Sequence, residues 1–278
     1  LLISSSMQSS TLSDIFCEVH HAEGSNKDTD RHYRMLSFIK PVVRTFKTGS
    51  WLTAGDGLGR EAIFLKKQGV EKVTCSNIWF SDFNKEKISE RVEDCIELDI
   101  SNPMPRPHSQ PEFVLVKEAL HHLSRPIDGL YKLLDLANRG LVLIEPHDTR
   151  CATGANDLVE NSFLLSSGDE DNWESWGNYK YLFNVREFCK MAWALDLPHV
   201  LVRGFNDPTG GLYEEPTDKD SDHAKYARYL GRCQELDKLG ELNKRPYNLI
   251  VCAILKKTLE ANERSGLKDF TIIDKPSI

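Results

Sequence analysis

Residues 50–63 read SWLTAGDGLGREAI: an apolar run, glycines at 55, 57 and 59, then a segment of helical character beginning near Arg60. Strand, glycine loop and helix in that order open a parallel βαβ unit. The glycines let the backbone turn tightly and approach a ligand, with the first N–H groups of the helix facing whatever binds. The run before Gly55 therefore reads as an apolar strand.

Working outward, four more short apolar runs follow: KVTCSNI (72–78), CIELDI (95–100), FVLVKEA (113–119) and GLVLIEP (140–146). The last two flank IDGLYKLLDLAN, in which Ile127, Leu130, Tyr131, Leu134 and Leu136 share one broad face and Ser124 before Pro126 gives a helix start. Strands alternating with helices imply a parallel sheet with right-handed crossovers. Two late runs, HVLVRGF (199–205) and YNLIVCAILKK (247–257), are separated by a polar, acidic stretch rather than a clean crossover helix, so the last strand is predicted to pair antiparallel.

The expectation is an α/β fold with a doubly wound, seven-stranded, mostly parallel sheet, occupying residues 49–257. Residues 1–48 form an N-terminal arm, with Tyr33, Leu36, Phe38, Ile39 and Val43 as its amphipathic helix. Met7 is read as the natural start, behind vector-derived residues 1–6. The stretch 151–184 is a lid insertion and 258–278 a polar tail.

With 278 residues, 40% hydrophobic and 28% charged, the chain can bury a large core. Its 35 basic against 42 acidic side chains give a net charge of −7, which argues against a duplex nucleic acid or an anionic membrane as partner and favours a small-molecule substrate. No apolar run approaches the ~20 residues of a membrane helix, and the start lacks the basic region of a secretion signal. The seven cysteines (17, 75, 95, 151, 189, 233, 252) are scattered without a CxxC pair and read as buried hydrophobes of a reduced, cytoplasmic protein.

The loop alone does not select a cofactor. Parsed from Gly57 it gives G-x-G-x-x-A, a variant of the dinucleotide fingerprint, with Asn77 where an acidic ribose ligand is expected. The block FVLVKEALHHLSRPIDGLYKLLDLANRGLVLIEP (113–146) resembles the fourth strand, following helix and fifth strand of class I S-adenosylmethionine-dependent methyltransferases, with LHH after one strand and EP ending the other. The resemblance runs from Ser50 to Lys257. More narrowly, residues 55–73, 117–126, 143–148 and 177–188 resemble bacterial methyltransferases associated with surface-polysaccharide gene clusters.

By that resemblance Gly55, Asp56, Gly57 and Gly59 form the cofactor loop, and Asn77 and Ile78 lie near the ribose. Asp99 and Ile100 frame the adenine, and Lys117 contacts the methionine end through its backbone. The sequence departs from the family at Thr53, where an acidic residue is usual, and at Asn77, which forfeits a charge-assisted bond. The implied cofactor is S-adenosyl-L-methionine, leaving S-adenosyl-L-homocysteine (SAH) as product.

Methyl transfer to a hydroxyl needs alignment and a base. His121 and His122 follow the fourth strand where an acceptor should lie, and either imidazole could serve, His122 being preferred; packing in the strand-to-helix loop is the alternative. Lys117 and Glu118 are adjacent charges ending an apolar strand, so that either one touches a ligand, Glu118 as a catalytic group, or they form an ion pair at the rim. Glu145 and His147 could contact substrate or support His122; with Asp148 they match no dedicated metal spacing, and no metal is expected. At the end of the insertion and just after it, Tyr179, Asn178 and Arg186 suit a sugar or another polar ring. Asn206 and Asp207 are either substrate contacts or an ordinary turn. The expected activity is O-methylation of a sugar or related precursor. N-methylation of a small molecule, an NAD(P)-dependent oxidoreductase and a non-catalytic cofactor-binding module are the alternatives.

Overall fold

A computed structural model of the chain describes residues 29–102, 110–148, 179–207 and 223–277. The glycine-flanked run of the sequence forms β1 (Ser50–Ala54), followed by α3 (Arg60–Lys67); two helices precede them, α1 (Thr29–Ser37) and α2 (Lys40–Thr45). Then come β2 (Lys72–Asn77), α4 (Asp82–Ser89), β3 (Asp94–Glu97), β4 (Phe113–Lys117), a short 3-10 turn at Leu120–His122, α5 (Pro126–Leu136) and β5 (Gly140–Pro146). The second half supplies α6 (Val185–Ala194), β6 (His199–Phe205), α7 (His223–Glu241), β7 (Leu249–Leu255), α8 (Ala261–Gly266) and β8 (Thr271–Asp274).

All strands join one sheet in the order β3-β2-β1-β4-β5-β7-β6-β8. Strands β1 to β5 pair parallel, and β7 lies antiparallel between β5 and β6. The sheet has eight strands where the sequence predicts seven. The eighth, β8, runs antiparallel along the outer edge of β6. It was illegible because it is four residues, two half-exposed isoleucines between exposed ends, with no apolar alternation; its hold comes from outside itself. His199 Nδ1 bonds the Asp274 carboxylate at 2.7 Å, and the Lys275 N–H reaches the Pro198 carbonyl at 2.9 Å.

Each sheet face carries its own core. One packs Met35, Leu36, Ile39, Val42 and Val43 of α1 and α2, with Phe64 and Leu65 of α3, on Trp51, Val73 and Phe113. The other packs Leu130, Leu133 and Leu134 of α5 and Phe188 and Ala192 of α6 on Leu52, Val114, Val116 and Leu143. Strand β4 is buried at every position and β7 likewise, as strands covered by helices on both faces must be. Helix α5 starts at Pro126 with Arg125 as N-cap, and Ser124 makes no cap.

The predicted crossover-free stretch before β7 holds a 19-residue helix, α7, whose buried side is the narrow stripe Tyr229, Cys233, Leu236 and Gly240. Alanine in place of a helical glycine ordinarily gains up to about 1 kcal/mol. At Gly240 a Cβ runs into the ring of Tyr247. Gly240→Ala is therefore expected to lose about 1–3 kcal/mol through overpacking, read as a lower Tm in thermal melting.

The described cysteines 75, 95, 189, 233 and 252 are all buried thiols. No helix among the described residues is long and apolar enough to cross a membrane.

Candidate active site

The strand order reverses between β1 and β4, and in open α/β sheets ligands bind in the crevice outside the carboxyl ends of the strands at such a switch point. A cleft of about 370 Å³ lies there, lined by the glycine loop after β1, by Lys117, Glu118, His121 and His122 after β4, and by His32 of α1 and Lys180.

Two glycines of the loop have conformational reasons. Gly55 has φ +73° with a Cβ position 2.7 Å from Ala119 Cβ, and Gly59 has φ +69° with one 2.6 Å from Ile88 Cγ1. Gly59 is the N-cap of α3 and brings no side chain; Asp56 supplies the missing acceptor, its Oδ2 taking the Ala62 N–H at 2.8 Å and the Thr53 hydroxyl at 3.0 Å. The carboxylate usual at the end of β1 in the resembled family thus has a neighbour in Asp56, bonded to the hydroxyl that replaces it.

Behind the loop is a buried charge group. Lys117 Nζ, on a side chain 5% exposed, sits 3.3 Å from Glu61 Oε1 and 3.3 Å from Glu118 Oε2. It also lies 2.9 Å from His32 Nδ1, and because an ammonium only donates, that nitrogen accepts and the His32 proton sits on Nε2. Burial opposes the charge on Lys117, but Glu61 and then Glu118 overcome it and raise the ammonium above its ordinary range. Burial likewise opposes Glu61 and Glu118, and Lys117 holds both carboxyls below theirs. Glu118 has φ +48°, a left-handed conformation rare outside glycine, with its N–H fixed on the Ile144 carbonyl at 2.8 Å. Arg31 of α1 adds a 3.7 Å contact to Glu118 and a 2.5 Å bond to Asp207.

The two histidines have unequal surroundings. His121 is 4% exposed and its Nδ1 is 2.7 Å from Glu145 Oε2. The other Glu145 oxygen accepts the Ala119 and Leu120 N–H groups at 3.1 and 2.9 Å, so a fully buried carboxylate is held on three donors. His122 is exposed, and its ring lies against that of His121, tilted by 41° with centroids 4.0 Å apart. Glu145 thus partners His121 from a fully buried position.

The remaining candidates are dispersed. Asn77 donates to the Trp79 carbonyl at 2.5 Å and abuts Gly57, while Ile78 and Trp79 are each 64% exposed beside it. The Asp99 carboxylate turns onto Ser101 and Asn102, which lower its pKa, and Ile100 is buried in the core against Gly129. His147 bonds the Tyr247 carbonyl at 2.8 Å and opens on a second cleft, beside Asp237 and Glu241. Tyr179 and Arg186 are exposed, and Asn178 lies outside the described residues. Tyr181 is the tyrosine that ties this segment to the site, its N–H on the His121 carbonyl at 3.3 Å and its hydroxyl on Glu187 at 2.7 Å. Asn206 and Asp207 are 1% exposed and knot α1 and α7 to the end of β6, Asp207 taking the Tyr229 hydroxyl at 2.6 Å. Among the described residues no group of three or more His, Cys, Asp or Glu side chains could hold a metal ion.

His32, Glu61 and Lys180 belong to the cleft without any local sequence signal. They reach it from separate helices and segments.

Its solved structural neighbours include S-adenosylmethionine-dependent methyltransferases. One described by that name, from Mesorhizobium loti, covers 75% of this chain and 91% of its own at 12% identity and a TM-score of 0.45. Magnesium protoporphyrin IX methyltransferase from Synechocystis, solved with bound SAH, covers 88% and 83% at 13% identity and a TM-score of 0.39. The YcgJ protein of Bacillus subtilis gives a TM-score of 0.51 at 13% identity, covering 82% of this chain and 100% of its own. At such identities the likeness is one of fold. No family model and no curated protein matches the sequence.

Proposed function

We propose that this chain is an S-adenosylmethionine-dependent methyltransferase acting on a small polar acceptor, with O-methylation of a sugar or related precursor as its reaction. One observation carries the reading: a glycine loop at a helix N-terminus and a carboxylate-oriented histidine open on the same cleft, at the switch point of a doubly wound sheet. The narrower resemblance to methyltransferases of surface-polysaccharide clusters supports the choice of acceptor.

The residues present fit this cofactor. At the cleft floor the Glu61 and Glu118 carboxylates face the Lys117 ammonium, with Arg31 3.7 Å from Glu118, and fixed charges of both signs suit the zwitterionic amino-acid end of such a cofactor. Asn77 offers an amide to ribose hydroxyls, and exposed Ile78 and Trp79 offer apolar surface to a ring. When bound, S-adenosylmethionine supplies an electrophilic methyl group on a sulfonium. The chain's part is alignment, exclusion of water and removal of the acceptor's proton. With its Nδ1–H on Glu145, His121 keeps the Nε2 lone pair available to take that proton, and the Glu145 carboxylate stabilises the imidazolium formed.

A ligand that binds only the native state raises stability by about 2.7 kcal/mol at a hundredfold excess over its Kd. SAH is accordingly expected to raise the Tm and NADH to leave it unchanged. Stabilisation by NADH alone would sink the reading.

A further inference from the structure

The Asp56 carboxyl sits beneath the glycine loop, 2% exposed, and its two oxygens are in unlike situations. Oδ2 takes the Thr53 hydroxyl and the Ala62 N–H, with the Cys75 sulfur at 3.6 Å. Oδ1 is buried and among the described residues meets no donor. Within hydrogen-bonding reach of the Asp56 carboxyl is a second one, that of Glu61, 7% exposed.

If both carboxyls were ionised, two like charges would face each other out of water with no hydrogen between them. A buried acceptor left unpaired forfeits about 1–3 kcal/mol, and the repulsion adds to it. One proton placed between the two removes both penalties. The surrounding groups decide where it resides. Thr53 from β1, Cys75 from β2 and Glu61 from α3 face Asp56, and Lys117 from β4, at 3.3 Å, and the charge of Arg60 act on Glu61. The cation thus keeps the charge on Glu61, and among the described residues no ion pair is made by Asp56. Burial and then the charge of Glu61 push Asp56 upward, while Lys117 outweighs burial to hold Glu61 down, in the same sense.

We propose that Asp56 is an un-ionised carboxylic acid in the folded protein, donating its Oδ1 proton to Glu61, and that this shared proton makes Asp56 a positioning residue for Glu61 and the first turn of α3 at the cofactor cleft. The pair then carries one negative charge, matched by Lys117. Asp56 acts through Glu61 and the loop, with its side chain turned to the interior. The statement about the cleft rests on the methyl-donor reading above; the proton does not.

The full chain at about neutral pH, where exposed carboxyls are ionised, is expected to show the infrared carbonyl band of an un-ionised carboxyl that Asp56→Asn removes. Asparagine offers an amide oxygen to Thr53 and Ala62 and an N–H to Glu61, so Asp56→Asn is expected to melt at or above the wild-type temperature. Asp56→Ala leaves Glu61 without its donor and the helix without its cap. It is expected to melt lower and to bind SAH at least about tenfold more weakly than Asp56→Asn. Absence of the band from the wild type, or an Asp56→Asn variant as damaged as Asp56→Ala, overturns the proposal. If the band and the contrast in melting persist while SAH fails to bind the wild type, the shared proton stands and the methyl-donor reading falls.

Discussion

Replacing His121 by alanine is expected to lower kcat by about 10²- to 10⁴-fold, the usual contribution of a general base, and to weaken SAH binding far less. The expectation comes from the asymmetry of the histidine pair. Glu145 is wholly buried and pinned by the Ala119 and Leu120 N–H groups, so its second oxygen points to His121 Nδ1 with no freedom to turn elsewhere. That fixes the tautomer, with the proton on Nδ1 and the lone pair on Nε2. Glu145→Gln keeps an oxygen for the two backbone donors but presents an NH2 to the ring, forcing the proton to Nε2. It should therefore lose turnover comparably while the melting temperature changes little. His122, exposed where His121 is buried, is expected to lose less than about tenfold on substitution by alanine. Turnover measured with a panel of sugar acceptors checks all three variants. A His122→Ala variant more impaired than His121→Ala would reverse the assignment.

The sequence favoured His122, and the proposal of His121 rests on contacts that the chain order does not spell out. The two rings lie against each other, and which of them meets the end of β5 depends on how β4 and β5 are placed in register, Lys117 opposite Ile144. Strands were far more legible. Runs buried on both faces are continuous apolar stretches, and SWLTA, GLVLIEP and HVLVRGF coincide with β1, β5 and β6 to the residue. Helix α7 escaped because only one residue per turn faces the core, and β8 because its stability is borrowed from His199 and the backbone of β6. The glycine loop and the charges after β4 could be read locally, since both are sequence neighbours of strand ends. The partners Glu61 and His32 could not, because a buried ion group is assembled from α1, α3 and β4 and leaves no spacing in the chain.

That buried group gives the second large effect. Lys117→Met removes the ammonium but keeps most of the packing, leaving Glu61 buried without the cation that acts on it most strongly; breaking such a pair from one side loses about 3–5 kcal/mol. The loss should depend on pH in a definite sense. In the wild type Lys117 holds Glu61 and Glu118 below their ordinary range, so their contribution is present above the unfolded carboxyl pKa and is lost as pH falls through the folded one. Without Lys117, burial dominates and raises Glu61 above its unfolded value. Its contribution is then present below the unfolded pKa and lost as pH rises. Between about pH 7 and about pH 5 the variant should gain stability relative to the wild type. Adding Glu61→Gln to Lys117→Met removes the orphaned charge and should restore a large part of the loss, since replacing both members of a buried pair is often close to neutral. Denaturant unfolding of the wild type, the single variant and the double variant at the two pH values measures each of these. A single variant within about 1 kcal/mol of the wild type, with the same pH dependence, would mean that Lys117 is solvated and that the cleft floor is not the closed ion group described.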